Sequence, residues 1–190
     1  METTTTIGVS IAVPEPYGRL LQDRRAAFGD LAAYAIPTHV TLLPPTEVAR
    51  TELPPFRRHL AQVAAEGAAF AMRLHGTDTF RPLSPVVYVR LAEGAGACAE
   101  LQERVRSGPV VRDLQFPYHP HVTVAHGIPE PAMDRAQREL ADFAAHWTAT
   151  GFALYEQGGD GVWRKMRDYP FGTEPPTVPH QQTARATTRL

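Results

Sequence analysis

Hydrophobic positions along the chain alternate between a period of two and a period near 3.6, which sets strands and helices in turn. A β-branched, alternating run at 7–13 predicts a strand, stopped by Pro14 and Pro16, which cannot donate to a ladder. Tyr17, Leu20, Leu21, Phe28 and Leu31 then fall on one helical face, and Ile36-Pro37 leads into a second strand at 39–43, closed by Pro44-Pro45. Phe56, Leu60, Val63 and Ala64 mark another helix with Gly67 as its stop, and 70–74 reads as a strand. The near-continuous apolar run at 85–91 suits a strand buried in a sheet. Cys98, Leu101 and Val105 predict a helix ended by Gly108-Pro109, and 121–124 a short strand. Met133, Ala136, Leu140 and Phe143 form an amphipathic stripe after Pro129 and Pro131. Two strands, about 148–156 and 162–168, flank Gly158-Gly159-Asp160-Gly161, a hairpin signal. From Thr173 onward, Pro, Thr, Gln and Arg dominate, so 173–190 is expected to be a disordered tail.

The order strand, helix, strand, helix, strand occurs twice, with one strand added at the end. This reads as an internal duplication, with halves at about 5–80 and 84–171 inside one domain spanning 1–172. Two α/β lobes related by a pseudo-twofold axis would leave a cleft that receives equivalent residues from both.

Composition narrows the setting. The 190 residues are 43% hydrophobic and 21% charged, enough chain for one core without staples. The single Cys98 cannot form an internal disulfide and excludes a multi-cysteine zinc site; it fits a reducing compartment. No apolar run approaches the roughly 18–20 residues of a membrane span, and Met1-Glu2-Thr3 lacks the basic start of a signal peptide, so a cytoplasmic monomer is expected. Nineteen basic residues against twenty acidic ones leave a formal charge of −1, which argues against long, non-specific nucleic-acid binding. A small phosphorylated ligand or an RNA end remains compatible.

The two halves share a tetrapeptide: His39-Val40-Thr41-Leu42 in the first and His121-Val122-Thr123-Val124 in the second. Alternation on a strand puts His39 and Thr41 on one face and Val40 and Leu42 on the other, and the second copy repeats this. With eight His in the chain, about one His-x-Ser/Thr is expected by chance, but two matched copies at equivalent places are not. If the polar faces meet, one bound group sees two imidazoles and two hydroxyls. That set suits phosphodiester hydrolysis: a neutral histidine takes a proton from water, a protonated one donates to the leaving oxygen, and the threonines hold non-bridging oxygens. Pseudo-symmetry leaves open which histidine is acid and which base.

These motifs resemble those of the two-histidine phosphoesterases, and within them the bacterial 2′-5′ RNA ligase-like proteins. The resemblance covers about residues 5–171 and includes Pro120 before the second motif, Gly76 to Phe80, and Gly161-Val162-Trp163. It implies an α/β (α+β) bilobal fold, each lobe with an antiparallel-rich sheet and flanking helices around a central cleft. It also implies catalysis without cofactor or metal, on 2′,3′-cyclic phosphates or 2′-5′ linked nucleotides or RNA ends. By that match His39 and His121 become the acid/base pair, and Thr41 and Thr123 the phosphate binders. Joining of RNA ends would be reversed transesterification, and hydrolysis is favoured in water unless two ends are held together. A non-catalytic module that recognises an RNA end or a phosphorylated metabolite is the alternative from another class.

Further residues are candidates for substrate contact. Phe80 could stack on a base and Arg81 meet a phosphate. Tyr118 and Tyr17 lie near the second motif and the first strand as cleft-lining candidates, and Arg164 follows the glycine turn. His119, two residues before His121, is a potential metal ligand or tuner, but no third ligand stands at a convincing spacing.

Overall fold

The structure, a computed structural model, describes residues 3–172, so the tail expected at 173–190 lies outside the described residues. Along it run β1 (Thr4–Ala12), α1 (Tyr17–Ala27), β2 (His39–Ala49), α2 (Leu53–Ala65), β3 (Phe70–Thr79), β4 (Val86–Glu93), α3 (Ala95–Arg106), β5 (His121–His126), α4 (Glu130–Glu139), β6 (Ala144–Ala149), β7 (Gly151–Gln157) and β8 (Trp163–Pro170). The strands make two four-stranded sheets, ordered β2-β1-β7-β8 and β5-β4-β3-β6. Every pairing is antiparallel. This is the expected α+β class, two antiparallel sheets with flanking helices.

The strands that carry the paired tetrapeptides, β2 and β5, are edge strands at matching places, each beside the first strand of its unit. They pack against one another, so the two sheets meet along the edges that bear the motifs. The helices cross over: α1 packs on β5 and α3 on β2. One hydrophobic cluster therefore holds Val9 and Leu42 from the first sheet together with Val89 and Val122 from the second. Asp30, just after α1, adds a polar tie. Its buried carboxylate accepts from Arg25 Nε at 2.7 Å, from the Ala32 amide at 3.0 Å and from the His126 amide at the end of β5 at 3.1 Å.

Several expectations need correction. The sheets do not follow the halves at about 5–80 and 84–171. β3, from the first half, joins the second sheet because a short connection lets it pair antiparallel with β4, while β7 crosses back to pair with β1 and β8 adds to β7 at the edge. The run 148–156 is not one strand: β6 pairs with β3 and β7 with β1, and the chain changes sheet at Thr150. Nor does Pro44-Pro45 end β2. On an edge strand a missing donor can face outward, and the register shifts between Ile7↔Thr46 and Val9↔Leu43 absorb the two prolines as an irregularity. Leu31 leaves the predicted helical face fully exposed, because α1 stops at Ala27 and the chain turns at Gly29 with φ 97°.

Candidate active site

On β2 and β5 the alternation predicted from sequence is realised: Val40, Leu42, Val122 and Val124 are fully buried, while His39, Thr41, His121 and Thr123 are half-buried on the opposite face. Burial of each such aliphatic side chain is worth about 1.5–3 kcal/mol. A one-residue slip would expose all four and turn the polar residues into the core, so the apolar face is what holds the polar face in place.

The two imidazoles are anchored alike. His39 donates from Nδ1 to the Pro37 carbonyl at 2.6 Å, and His121 donates from Nδ1 to the His119 carbonyl at 2.7 Å. A carbonyl oxygen can only accept, so each ring carries its proton on Nδ1 and leaves Nε2 free to take or give one. Desolvation lowers both pKa values. His39 is pushed down to about 4, with Arg25 and His121 as further positive neighbours opposing the bond to Pro37. His121 is also lowered, by burial first and by His119 as well. A phosphate anion placed between them would raise both.

Their surroundings differ. His39 faces a hollow of about 30 Å³, bounded by Ser10, Ile36, Thr41, Tyr155 and Trp163. The Trp163 ring lies over β1 because Gly8 offers no side chain there; a Cβ would sit 3.2 Å from the ring. His121 instead opens on a trough of about 560 Å³ that also includes Thr41, Phe80, Phe116 and Tyr118. Phe80 meets the His121 ring edge-on with centroids 4.9 Å apart, and Tyr88 lies at 5.2 Å and His119 at 6.4 Å. Thr41 lines both spaces, whereas Thr123 follows His121 on β5 and stands across the ladder from Tyr88.

The other sequence candidates divide. Phe80 is at the site. Tyr118 lines the trough, but its hydroxyl is spent on the Thr41 carbonyl at 2.7 Å, and burial raises its pKa. Arg81 is not placed to meet a phosphate: it bonds to Glu130 and Asp134 on α4, with Gln137 and Thr79 taking further donors. Tyr17 packs edge-on against Phe143 at 6.5 Å. Arg164 is paired with Asp160 and lines a separate polar hollow with Thr5, Arg50 and Lys165. Tyr17 opens α1, Arg81 follows β3 and Arg164 stands at the start of β8, and in each case a nearer partner takes the side chain. His119 rests against Phe80 and Tyr88, at 5.6 and 5.5 Å. Among the described residues no three His, Cys, Asp or Glu side chains gather to hold a metal. Sequence reading missed Tyr88 and Tyr155 as residues of the site. Tyr88 was embedded in an apolar strand, where only its polar tip was a signal.

Known proteins resemble the chain in sequence and in fold. Residues 13–161 match the profile of the 2′-5′ RNA ligase superfamily. A protein of Halalkalibacterium halodurans, provisionally named a phosphoesterase, is 28% identical over 169 residues, which cover 88% of this chain and 98% of that one. A Bacillus licheniformis protein with the same provisional name is 30% identical over 139 residues, 72% of this chain and 82% of its own. Among solved structures, TT0787 of Thermus thermophilus aligns with TM-score 0.63 and 22% identity over 88% of this chain and 98% of that one. E. coli LigT in complex with 3′-AMP aligns with TM-score 0.59 and 16% identity over 90% of this chain and all of that one.

Proposed function

Because the chain belongs to the 2′-5′ RNA ligase superfamily, we propose that it is a phosphodiesterase that opens a 2′,3′-cyclic phosphate or a 2′-5′ linkage of a nucleotide or RNA end, using His39 and His121 as general acid and base without a metal. The observation that carries this reading is the matched anchoring of the two rings, each with Nδ1 bonded to a carbonyl two residues earlier and Nε2 free. Such a pair can take one proton from an attacking water and give one to a departing oxygen in a single displacement. Water's oxygen bonds to phosphorus, the P–O bond to the sugar breaks, the neutral imidazole takes the water proton and the protonated one supplies the sugar oxygen. The Thr41 hydroxyl, and Thr123 beside His121, would donate to the non-bridging oxygens, where charge grows in the transition state. A nucleotide as ligand class is supported by E. coli LigT, of matching fold, which binds 3′-AMP.

The test is turnover of nucleoside 2′,3′-cyclic monophosphates and of a short RNA with a 2′,3′-cyclic end, in chelator. His39→Ala and His121→Ala should each lose on the order of 10²- to 10⁴-fold in kcat. A folded parent that binds nucleotides but turns over neither these nor a 2′-5′ linked oligonucleotide would instead identify a binding module.

A further inference from the structure

The two halves of the site match in motif, anchoring and strand position, yet the spaces beside the two histidines differ roughly as a water molecule differs from a nucleoside. The hollow at His39 measures about 30 Å³, room for a bound water and for no nucleoside. The trough at His121 measures about 560 Å³, within the range of small-molecule sites. Its walls include Phe80, Leu83, Val86, Phe116, Pro117 and Tyr118. Leu83 and Phe116 leave 79% and 54% of their surface in water, although both line the trough that opens on His121. A flat aromatic group laid between them would cover both. Thr41 lines both spaces, so its hydroxyl is shared between them.

We propose that the trough holds the nucleoside that carries the departing oxygen, so that His121 is the general acid and His39 the general base acting on a water in the small hollow. This rests on the phosphodiesterase reading above. In-line displacement requires the attacking and leaving oxygens on opposite sides of phosphorus, and the two spaces on either side of Thr41 provide for one water and one bulky group. The water O–P bond forms as the P–O bond to the ribose breaks. His39 Nε2 accepts the water proton, His121 Nε2–H passes its proton to the ribose oxygen, and a nucleoside monophosphate is released. The stronger desolvation of His39 keeps its Nε2 an acceptor at neutral pH, in keeping with that role.

The test compares adenosine 2′,3′-cyclic monophosphate with 4-nitrophenyl methyl phosphate, whose nitrophenolate departs without needing a proton. His121→Ala should lose at least about 100-fold on the cyclic ester and less than about 10-fold on the aryl ester, whereas His39→Ala should lose about 100-fold on both. The mirror-image pattern would overturn this assignment and leave the phosphodiesterase reading standing. A folded parent inactive on both esters would overturn that reading and the assignment with it. For the trough, Phe116→Ala should raise KM several-fold more for the adenosine ester than for methyl riboside 2′,3′-cyclic phosphate, which has no base. Equal effects on the two would overturn the placement of the nucleoside.

Discussion

The Tyr118 hydroxyl donates a 2.7 Å hydrogen bond to the Thr41 carbonyl, fastening the segment that leads into the second His-x-Thr strand to the middle of the first. The two motifs are 82 residues apart by their numbering, His39 to His121, and this bond is one of the short links that hold them in register across the two sheets. Thr41 itself lines both spaces of the site.

Tyr118→Phe keeps the ring and removes that link. We expect a loss of about 0.5–1.5 kcal/mol in unfolding free energy, the net worth of one such bond. The fall in kcat/KM should be larger than the stability loss implies, because the trough and the first motif lose their common anchor. Urea unfolding beside steady-state kinetics checks this, and an unchanged kcat/KM would refute it.

The lowered histidines predict the pH dependence. The base must be neutral, so activity rises as pH climbs through the lower pKa, near 4 for His39. The acid must be protonated, so activity falls as pH climbs through the upper one, which burial sets below the ordinary 6.5 for His121. The kcat/KM profile of the free enzyme should be a bell centred on mildly acidic pH, with both limbs belonging to the coupled pair. An optimum above pH 7 would contradict it. Stability carries the same sign. Between 6.5 and 4 the unfolded chain takes up protons that the folded histidines refuse, so unfolding free energy should fall as pH drops through that window, and less steeply in His39→Ala.

Asp30→Ala should be among the most destabilising single changes. The Arg25–Asp30 pair is almost wholly enclosed, with side chains 11% and 4% exposed, and the same carboxylate satisfies the Ala32 and His126 amides. Removing it strands a buried guanidinium, at a cost of about 3–5 kcal/mol. Thermal unfolding measures this directly, and a shift in Tm of only a degree or two would contradict it.

Arg81→Ala separates a strut from a substrate contact. The guanidinium reaches Glu130 and Asp134, both largely in water, so the change should cost about 1 kcal/mol and leave KM for a cyclic nucleotide where it was. A KM raised tenfold would restore Arg81 to the site.

Much of the fold was legible because local patterning dictates it. The helix around Phe56, Leu60 and Val63 and the strand at 85–91 were readable from periodicity alone, since these three and Val87 and Val89 are buried in one core. Boundaries were misread where pairing overrides local chemistry. Pro44-Pro45 stays in β2 because an edge strand tolerates missing donors, and the break at Thr150 exists because two sheets compete for neighbouring segments.

For the site, local pattern suffices for the pair of His-x-Thr strands and their two faces, because a period of two and buried valines leave one orientation. The same pattern shows that each half contributes one imidazole. Which segments stand beside each ring depends on packing between residues far apart in the chain. Arg81, Tyr17 and Arg164 were drawn to Glu130, Phe143 and Asp160, whereas Tyr88 and Trp163 came to the histidines from strands that pattern reading assigns to packing. Long-range packing also decided the unequal spaces at His39 and His121. A hollow and a trough are set by which distant segments fail to fill them, and no local pattern encodes that.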